Sequence, residues 1–292
     1  MGVVLVTGAS GNVGREVVGA LRALGLGVRA AERDEDRARK VLGNEIDIVR
    51  LDYRDRSTFS CAEGASALFL MRPPAVANVA DTLLPFVDEA RRRGVHHVVF
   101  LSVAGADKNV LVPHHAVEKH LRRGPGGWTI LRPGFFAQNF GDAYRRDIVE
   151  DHRVYVPAGR GRVTFVDVRD VADVAAAAFA TPAVHDRRAY TLTGPEAVDF
   201  ETAARHLTRV LGRVIRYDPA TLAGYALHLR ARGLPWAQIA VQTVLHVGLR
   251  FGQAADLDPT LERLLGRRAR SFGDYVRDHR MVWEQDASSP AM

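Results

Sequence analysis

The chain opens on a short apolar run, Val3–Val6, that passes through Thr7 into Gly8, Gly11 and Gly14, a G-x-x-G-x-x-G spacing. An unbroken apolar run of this length reads as a strand buried on both faces. The helical pattern that follows places Val13, Val17, Ala20, Leu21 and Leu24 on one face. Each glycine has a physical use at such a junction. The first permits a tight turn, the second lets the backbone approach a pyrophosphate, and the third lets the new helix pack close to the sheet. The free N–H groups and dipole at the helix N-terminus attract phosphate. The triplet alone is weak; the flanking strand and helix supply its context. Gly8, Ser10, Gly11, Asn12, Val13 and Gly14 are therefore expected to cradle a dinucleotide.

The alternation continues. Strands are expected at Val28–Glu32, Ile46–Leu51, Ala65–Met71, His97–Ser102 and Trp128–Leu131. Between them, helices are expected at Asp34–Leu42, Arg54–Glu63 and Val112–Arg122, the last opened by Pro113. A long amphipathic helix is expected from Val76 to Ala90, through Val79, Ala80, Leu83, Leu84 and Val87. Strand–helix alternation argues an α/β fold, a doubly wound parallel sheet of Rossmann type with right-handed crossovers. Its ligand crevice lies outside the carboxyl ends of the strands. Gly8–Gly14, Arg33, Asp52-Tyr53, Met71-Arg72 and Ser102-Val103 occupy those ends.

Beyond Asn139 the alternation weakens. Short strands are expected at Val154–Pro157, Val163–Val166, Tyr190–Leu192 and Val214–Tyr217, and helices at Val168–Ala180 and Phe200–Leu211. The remainder is mostly helical. Trp236, Ile239, Ala240, Thr243, Val244 and Val247 form a stripe read as core or as a pocket wall. The reading is a nucleotide-binding domain over residues 1–150, to which 163–181 return, and a smaller, mostly helical substrate domain over 183–292. The small, polar tail Gln285–Met292 is expected to fray.

Composition narrows the function. With 47% hydrophobic and 25% charged residues the chain has the profile of an ordinary soluble globule, and no apolar run reaches the length of a membrane span. The first apolar run lacks a preceding basic region, so it reads as a strand and not as a signal peptide. Cys61 is the only cysteine, which excludes an internal disulfide and makes the cytoplasm the expected compartment. The net charge of +6 comes from arginines scattered along the chain. No basic stripe with interleaved aromatics appears, so no nucleic-acid partner is expected. A homodimer is left open.

Several polar residues fall where chemistry would be done. Arg33 follows the second strand and could pair with a ribose 2′-phosphate; Glu32, one residue earlier, could accept from a 2′-hydroxyl. Arg15 adds positive charge, and NADP(H) is the preferred cofactor, with NAD(H) as the alternative. Asp52-Tyr53 could bond and flank an adenine, or Asp52 could simply cap a helix. Ser102 ends the fifth strand. His115 and Lys119 lie one helical turn apart on the next helix, hence on one face. A lysine there can hold ribose hydroxyls, and a hydroxyl or imidazole can pass a proton as hydride arrives. His114 and Glu118 share the same spacing, but no third ligand is evident and no metal is expected. The G-x-S-x-G elbow of hydrolases is absent.

Val6–Gly14 resembles the start of the NmrA-like group of atypical short-chain dehydrogenase/reductases. So do Val98–Ser102, His115–Lys119, Thr129–Phe136 with Asn139, Val166–Ala172 and Leu192–Glu196, in the family's order. The resemblance implies NADP(H) on a Rossmann domain, Arg33 on the 2′-phosphate, and Leu70, Met71, Arg72, Gly134 and Phe135 lining the cofactor. Lys119 matches the lysine of the family's Tyr-x-x-x-Lys pair, but His115 stands at the tyrosine position. Members lacking that tyrosine include quinone and dye reductases and also redox-sensing regulators. The expected function is NADPH-dependent reduction of a quinone-like or aromatic carbonyl acceptor. Lys119, His115 and Ser102 would be the catalytic residues, and Phe136, Asn139 and Trp236 would contact the substrate. The alternative is a non-catalytic NADP(H) sensor that binds a protein partner.

Overall fold

The computed structural model describes residues 2–284, so the tail 285–292 lies outside the described residues. In chain order the first elements are β1 (Val3–Thr7), α1 (Asn12–Ala23), β2 (Val28–Glu32), α2 (Glu35–Leu42), β3 (Asp47–Arg50), β4 (Ala65–Met71), α3 (Leu83–Arg92), β5 (His97–Leu101), α4 (Pro113–Arg123) and β6 (Gly127–Pro133). Then come α5 (Arg145–Glu150), β7 (Arg153–Val156), β8 (Arg162–Val163), α6 (Val168–Ala180), α7 (Pro182–His185), β9 (Arg188–Leu192), β10 (Val198–Asp199) and α8 (Phe200–Leu211). The last are β11 (Arg216–Pro219), α9 (Leu222–Ala231), α10 (Trp236–Arg250), α11 (Thr260–Leu265) and α12 (Phe272–Asp278).

The chain divides into two compact units. Among the described residues the first comprises 2–133, Val168–Leu192 and Arg263–Leu265; the second comprises Gly134–Asp167, Thr193–Glu262 and 266–284. The sheet unit thus stops at Pro133, where a boundary near residue 150 was expected. The physical reason is the destination of the next segment: Phe140, Tyr144, Ile148, Val154, Val156 and Phe165 all enter the core of the second unit.

In the first unit a seven-stranded sheet runs β3-β2-β1-β4-β5-β6-β9, every pair parallel. Strand order reverses between β1 and β4, which makes the carboxyl ends of these two strands the topological switch point. All five residues of β5 are buried, as expected of a strand covered on both faces. Leu5, Leu68, Phe100 and Ile130 build the core on one face. On α1, Val13, Val17, Val18 and Leu21 are buried, and α1 packs on α6.

The second unit surrounds an aromatic centre. Phe140 packs edge-on against Phe165 with ring centroids 5.3 Å apart and against Phe272 at 4.7 Å. Trp283 is buried and donates its indole N–H to the Phe140 carbonyl at 2.9 Å. Helix α8 opens on the Asp199 side chain, which accepts from the Thr202 N–H, and closes at left-handed Gly212.

Two expectations are corrected. The helix expected from Val76 begins only at Leu83, and Val76–Thr82 is irregular. Pro85 is the cause: it lacks an N–H and crowds the preceding turn, so it is tolerated in a first turn and not in a helix interior. The Trp236 stripe enters the core only at Ile239. Trp236 is 58% and Val244 71% exposed, while the buried line on α10 runs through Ile239, His246 and Leu249. Apolar residues occupy both faces of α10, so periodicity alone did not select the covered line, which shares only Ile239 with the stripe. Among the described residues no helix is long and apolar enough to cross a membrane.

The glycine junction gives a direct test. A Cβ added at Gly14 would lie 2.1 Å from the Gly8 carbonyl oxygen, whereas one added at exposed Gly19 in the same helix meets nothing within 4 Å. Gly14→Ala should lower the unfolding free energy by about 1–3 kcal/mol, and Gly19→Ala should raise it by about 0.5–1 kcal/mol, both measured by urea denaturation.

Candidate active site

The glycine turn is built as its sequence requires. Gly8 adopts φ +63° and donates its N–H to the Ala31 carbonyl, and the Gly11 N–H returns to the Gly8 carbonyl at 3.1 Å. Gly11 occupies the N-cap of α1, where it has no side chain to bond the first turn, and that turn holds no acidic residue. By contrast α2 is capped by Asp34, whose carboxylate accepts from the Arg37 N–H. The Val13 and Gly14 N–H groups thus open on the α1 end of the turn with no side-chain cap, a donor set suited to a pyrophosphate. These residues fit a dinucleotide.

Around this turn, Thr7 ties the switch point together. Its hydroxyl donates to the Phe69 carbonyl and accepts from the Met71 N–H, locking the ends of β1 and β4 in register. Ser10 donates its N–H to Glu32 Oε1 at 2.5 Å. Arg33 is exposed and makes no hydrogen bond or ion pair among the described residues. Asp52 Oδ1 accepts from the Arg54 N–H, a local turn, and the Asp52 N–H and carbonyl both bond the Thr58 hydroxyl. Tyr53 departs from its expected place beside an adenine. Its ring is buried edge-on against Phe86, 5.4 Å between centroids, and its hydroxyl donates to the Met71 carbonyl. Burial raises that phenol well above its ordinary range. Leu70 is buried and Met71 half-buried beside Gly8.

Arg72 folds back on its own loop, its Nη1 bonding the carbonyls of Pro73, Pro74 and Val76. Its Nε donates to His114 Nε2 at 3.4 Å. His114 must then carry its proton on Nδ1, which is buried without a hydrogen-bond partner. Burial first, and the Arg72 charge second, push the His114 imidazole down to about 4. Among the described residues no group of three or more His, Cys, Asp or Glu side chains is placed to hold a metal ion.

The expected catalytic residues take unequal positions. Ser102 is buried, and its hydroxyl donates to Glu118 Oε1 at 2.6 Å. Its hydroxyl proton is therefore engaged with that carboxylate. Glu118 also receives Arg132 from β6 through Nε at 2.9 Å and through Nη2, while Arg132 Nη1 reaches Asp107 at 3.0 Å. This buried network, which ties β5, β6, α4 and the intervening loop together, was invisible in the sequence because Glu118 reads as a polar helix position. His115 is half-buried on α4, and its Nδ1–H donates to the Ala106 carbonyl at 2.8 Å. A carbonyl only accepts, so the proton sits on Nδ1 and the Nε2 lone pair is free in the neutral ring. Lys119 is exposed, one turn further along, and makes no hydrogen bond or ion pair among the described residues.

Gly134, Phe135, Phe136, Asn139 and Trp236 belong to the second unit. Phe136 is half-buried at a bridge to Val166. Phe135 packs edge-on against His246 at 5.8 Å. The His246 Nδ1–H donates to the Gln242 carbonyl, so its Nε2 accepts the Tyr144 hydroxyl. Burial pushes His246 down to about 4 and the Tyr144 phenol well up, so this pair is held neutral.

The site's glycine turn, parallel sheet and switch point define a dinucleotide-binding Rossmann fold, and comparison with known proteins agrees. Residues 8–182 match the NAD(P)H-binding family model, and the chain belongs to that family, within its NmrA-like, quinone reductase-like group. It is 30% identical over 280 residues to an NAD(P)H azoreductase of Xenophilus azovorans, covering 94% of this chain and 97% of the relative. It is 33% identical to a (4-alkanoyl-5-oxo-2,5-dihydrofuran-3-yl)methyl phosphate reductase of Streptomyces griseus, covering 94% of this chain and 97% of the relative. The structure of an Escherichia coli NADPH-dependent quinone oxidoreductase complexed with NADPH superposes with a TM-score of 0.82 at 25% identity, covering 95% of this chain and 99% of the other. The chain belongs with the NAD(P)H-dependent oxidoreductases of this family.

The buried groups set acid sensitivity. With its folded pKa near 4, against an ordinary 6.5, His114 binds fewer protons folded than unfolded between those values. Stability is then intact above pH 6.5 and falls as pH drops toward 4, by about 3 kcal/mol at most. His114→Gln should flatten the pH 4–7 unfolding profile by part of that amount. Glu118→Ala, which strands Arg132, should cost about 3–5 kcal/mol at neutral pH in the same denaturation series.

Proposed function

We propose that this chain is an NADPH-preferring reductase that delivers hydride to a quinone-like or otherwise conjugated aromatic acceptor. The observation that carries this reading is the state of the proton donors. The family's tyrosine position holds His115, whose Nδ1–H is committed to the Ala106 carbonyl. The Ser102 hydroxyl is committed to Glu118. Reduction of a simple ketone needs an acid aimed at the carbonyl oxygen as charge develops there. An acceptor that delocalises the incoming electron pair needs that acid far less.

When bound, the dihydronicotinamide supplies the hydride. The Gly8–Gly14 turn would hold its pyrophosphate, Arg33 its 2′-phosphate, and Lys119 the hydroxyls of its nearer ribose. His115 in its imidazolium form, or water, would return a proton to the reduced acceptor. The resemblance further supports Leu70, Met71, Gly134 and Phe135 against the cofactor, and Phe136 and Asn139 toward the acceptor. Trp236, exposed on α10, is the least supported substrate contact. The azoreductase and quinone reductase relatives favour the enzyme over a cofactor sensor.

The test is NADPH oxidation against a panel of quinones, azo dyes and carbonyl compounds. Turnover is expected with the conjugated acceptors. Lys119→Ala should raise KM for NADPH, and His115→Phe should lower kcat by less than about tenfold at neutral pH, well short of the loss on removing an aimed general acid. A full rate in His115→Phe assigns the proton to water. No turnover with any acceptor, although NADPH binds, ends the enzyme reading.

A further inference from the structure

Two arginines at strand ends of the first unit are treated in opposite ways. Arg132 is buried, and Glu118 and Asp107 meet its charge. Arg72 is half-buried just past the carboxyl end of β4, and its partners are all neutral. Its Nη1 donates to the carbonyls of Pro73, Pro74 and Val76 at 3.1, 3.3 and 2.7 Å, and its Nε donates to His114 Nε2 at 3.4 Å. It makes no ion pair among the described residues. Burial lowers its pKa, but a guanidinium stays charged at neutral pH. Neutral acceptors thus fix the group in place and leave its charge uncancelled. Its Nη2 has no partner among the described residues and is not closed off from solvent. The arrangement is costly, since accepting from Arg72 leaves the buried Nδ1–H of His114 without a partner. The first turn of α4, which carries His114 and His115, has no acidic residue and no side-chain cap, so the helix dipole adds positive potential there. β4 ends at the switch point, where the ligand crevice of such a sheet opens. A fixed cation with a free N–H and no counter-ion at that edge suits an oxygen that gains negative charge.

We propose that Arg72 is a catalytic residue that stabilises the oxyanion formed on the acceptor as hydride arrives. This rests on the reading given under Proposed function. Hydride brings an electron pair to the conjugated acceptor and displaces a π pair onto a carbonyl oxygen. The Nη2–H hydrogen-bonds that oxygen and keeps its own proton; water or His115 then protonates the product. Arg72 supplies the charge stabilisation without the proton transfer. The acceptors it favours carry a carbonyl oxygen conjugated to the atom that takes the hydride.

The test compares the wild type with Arg72→Met and Arg72→Lys, with thermal melting to confirm that each folds. Three quantities are read: the Kd of NADPH by nicotinamide fluorescence, kcat with a water-soluble quinone, and the Kd of para-nitrophenolate against that of uncharged para-nitroanisole with oxidised NADP bound. The last needs no turnover. In Arg72→Met the NADPH Kd should stay within about twofold, kcat should fall about 10–100-fold, and the preference for the phenolate over the anisole should vanish. Arg72→Lys keeps the charge but not the fork, and should recover part of both losses. A kcat loss below about tenfold, or a phenolate preference that survives in Arg72→Met, overturns the proposal. So does an Arg72→Lys no better than Arg72→Met, which makes the side chain a prop for its loop. Weakening of NADPH that matches the loss in kcat assigns Arg72 to the cofactor phosphates and overturns it as well. A wild type that binds NADPH but reduces no quinone ends the reading beneath the proposal, and so is distinguishable from failure at Arg72 alone.

Discussion

The close approach of α1 to the glycine turn is the constraint from which the site follows. A Cβ at Gly14 would meet the Gly8 carbonyl oxygen and the Ala9 backbone at 2.1–2.7 Å, so the helix can lie against the turn only because residue 14 has no side chain. That contact places the uncapped first turn of α1 at the carboxyl end of β1, beside the switch point. The Thr7 hydroxyl then locks β1 to the end of β4, and Met71 and Arg72 follow at that end. Backbone N–H groups held in position by packing suit this turn to a phosphate without a lysine in it.

The second organising interaction is the buried Glu118–Arg132 pair. Its desolvation is costly, and the pair is tolerable because Ser102 and Asp107 occupy the remaining donor and acceptor sites. What the network achieves is placement. Glu118 precedes Lys119 in the chain and follows His115 by less than one turn, so anchoring its carboxylate to β5 and β6 fixes the rotation of α4. His115 and Lys119 are then presented together, while the Ala106 carbonyl sets the imidazole tautomer. Ser102, at the strand end, is tied to Glu118 within this network.

The sheet was legible because its strands are continuous apolar runs bounded by glycine or charge, as at Val3–Thr7 and Ala65–Met71, and such runs have few alternative structures. The failures share a cause. Apolar periodicity reports which residues could share a face, not whether the backbone can be helical or which face is covered. Val76–Ala90 kept its period across Pro85, and the first turn had to move to accommodate the proline. On α10 both faces are apolar, and the covered one contains His246, whose hydrogen bonds to Gln242 and Tyr144 let it sit inside. Tyr53 and Glu118 were misplaced or missed for a related reason. A buried polar group is permitted by partners distant in sequence, Met71 for one and Arg132 for the other, and no local pattern marks them.

Replacing a tyrosine by a histidine at position 115 changes more than the pKa of a donor. A phenol offers its proton at neutral pH without needing to be charged. The His115 ring, with Nδ1–H bound to a backbone carbonyl, offers a lone pair at Nε2 unless it is protonated. In its neutral form it can accept from a hydroxyl but cannot protonate an oxyanion, so any acid role is tied to the population of the imidazolium. A neutral His115 ring is therefore poorly built to protonate an alkoxide, which supports the proposed conjugated acceptor. The histidine at position 115, its tautomer and the commitment of Ser102 to Glu118 together support that proposal.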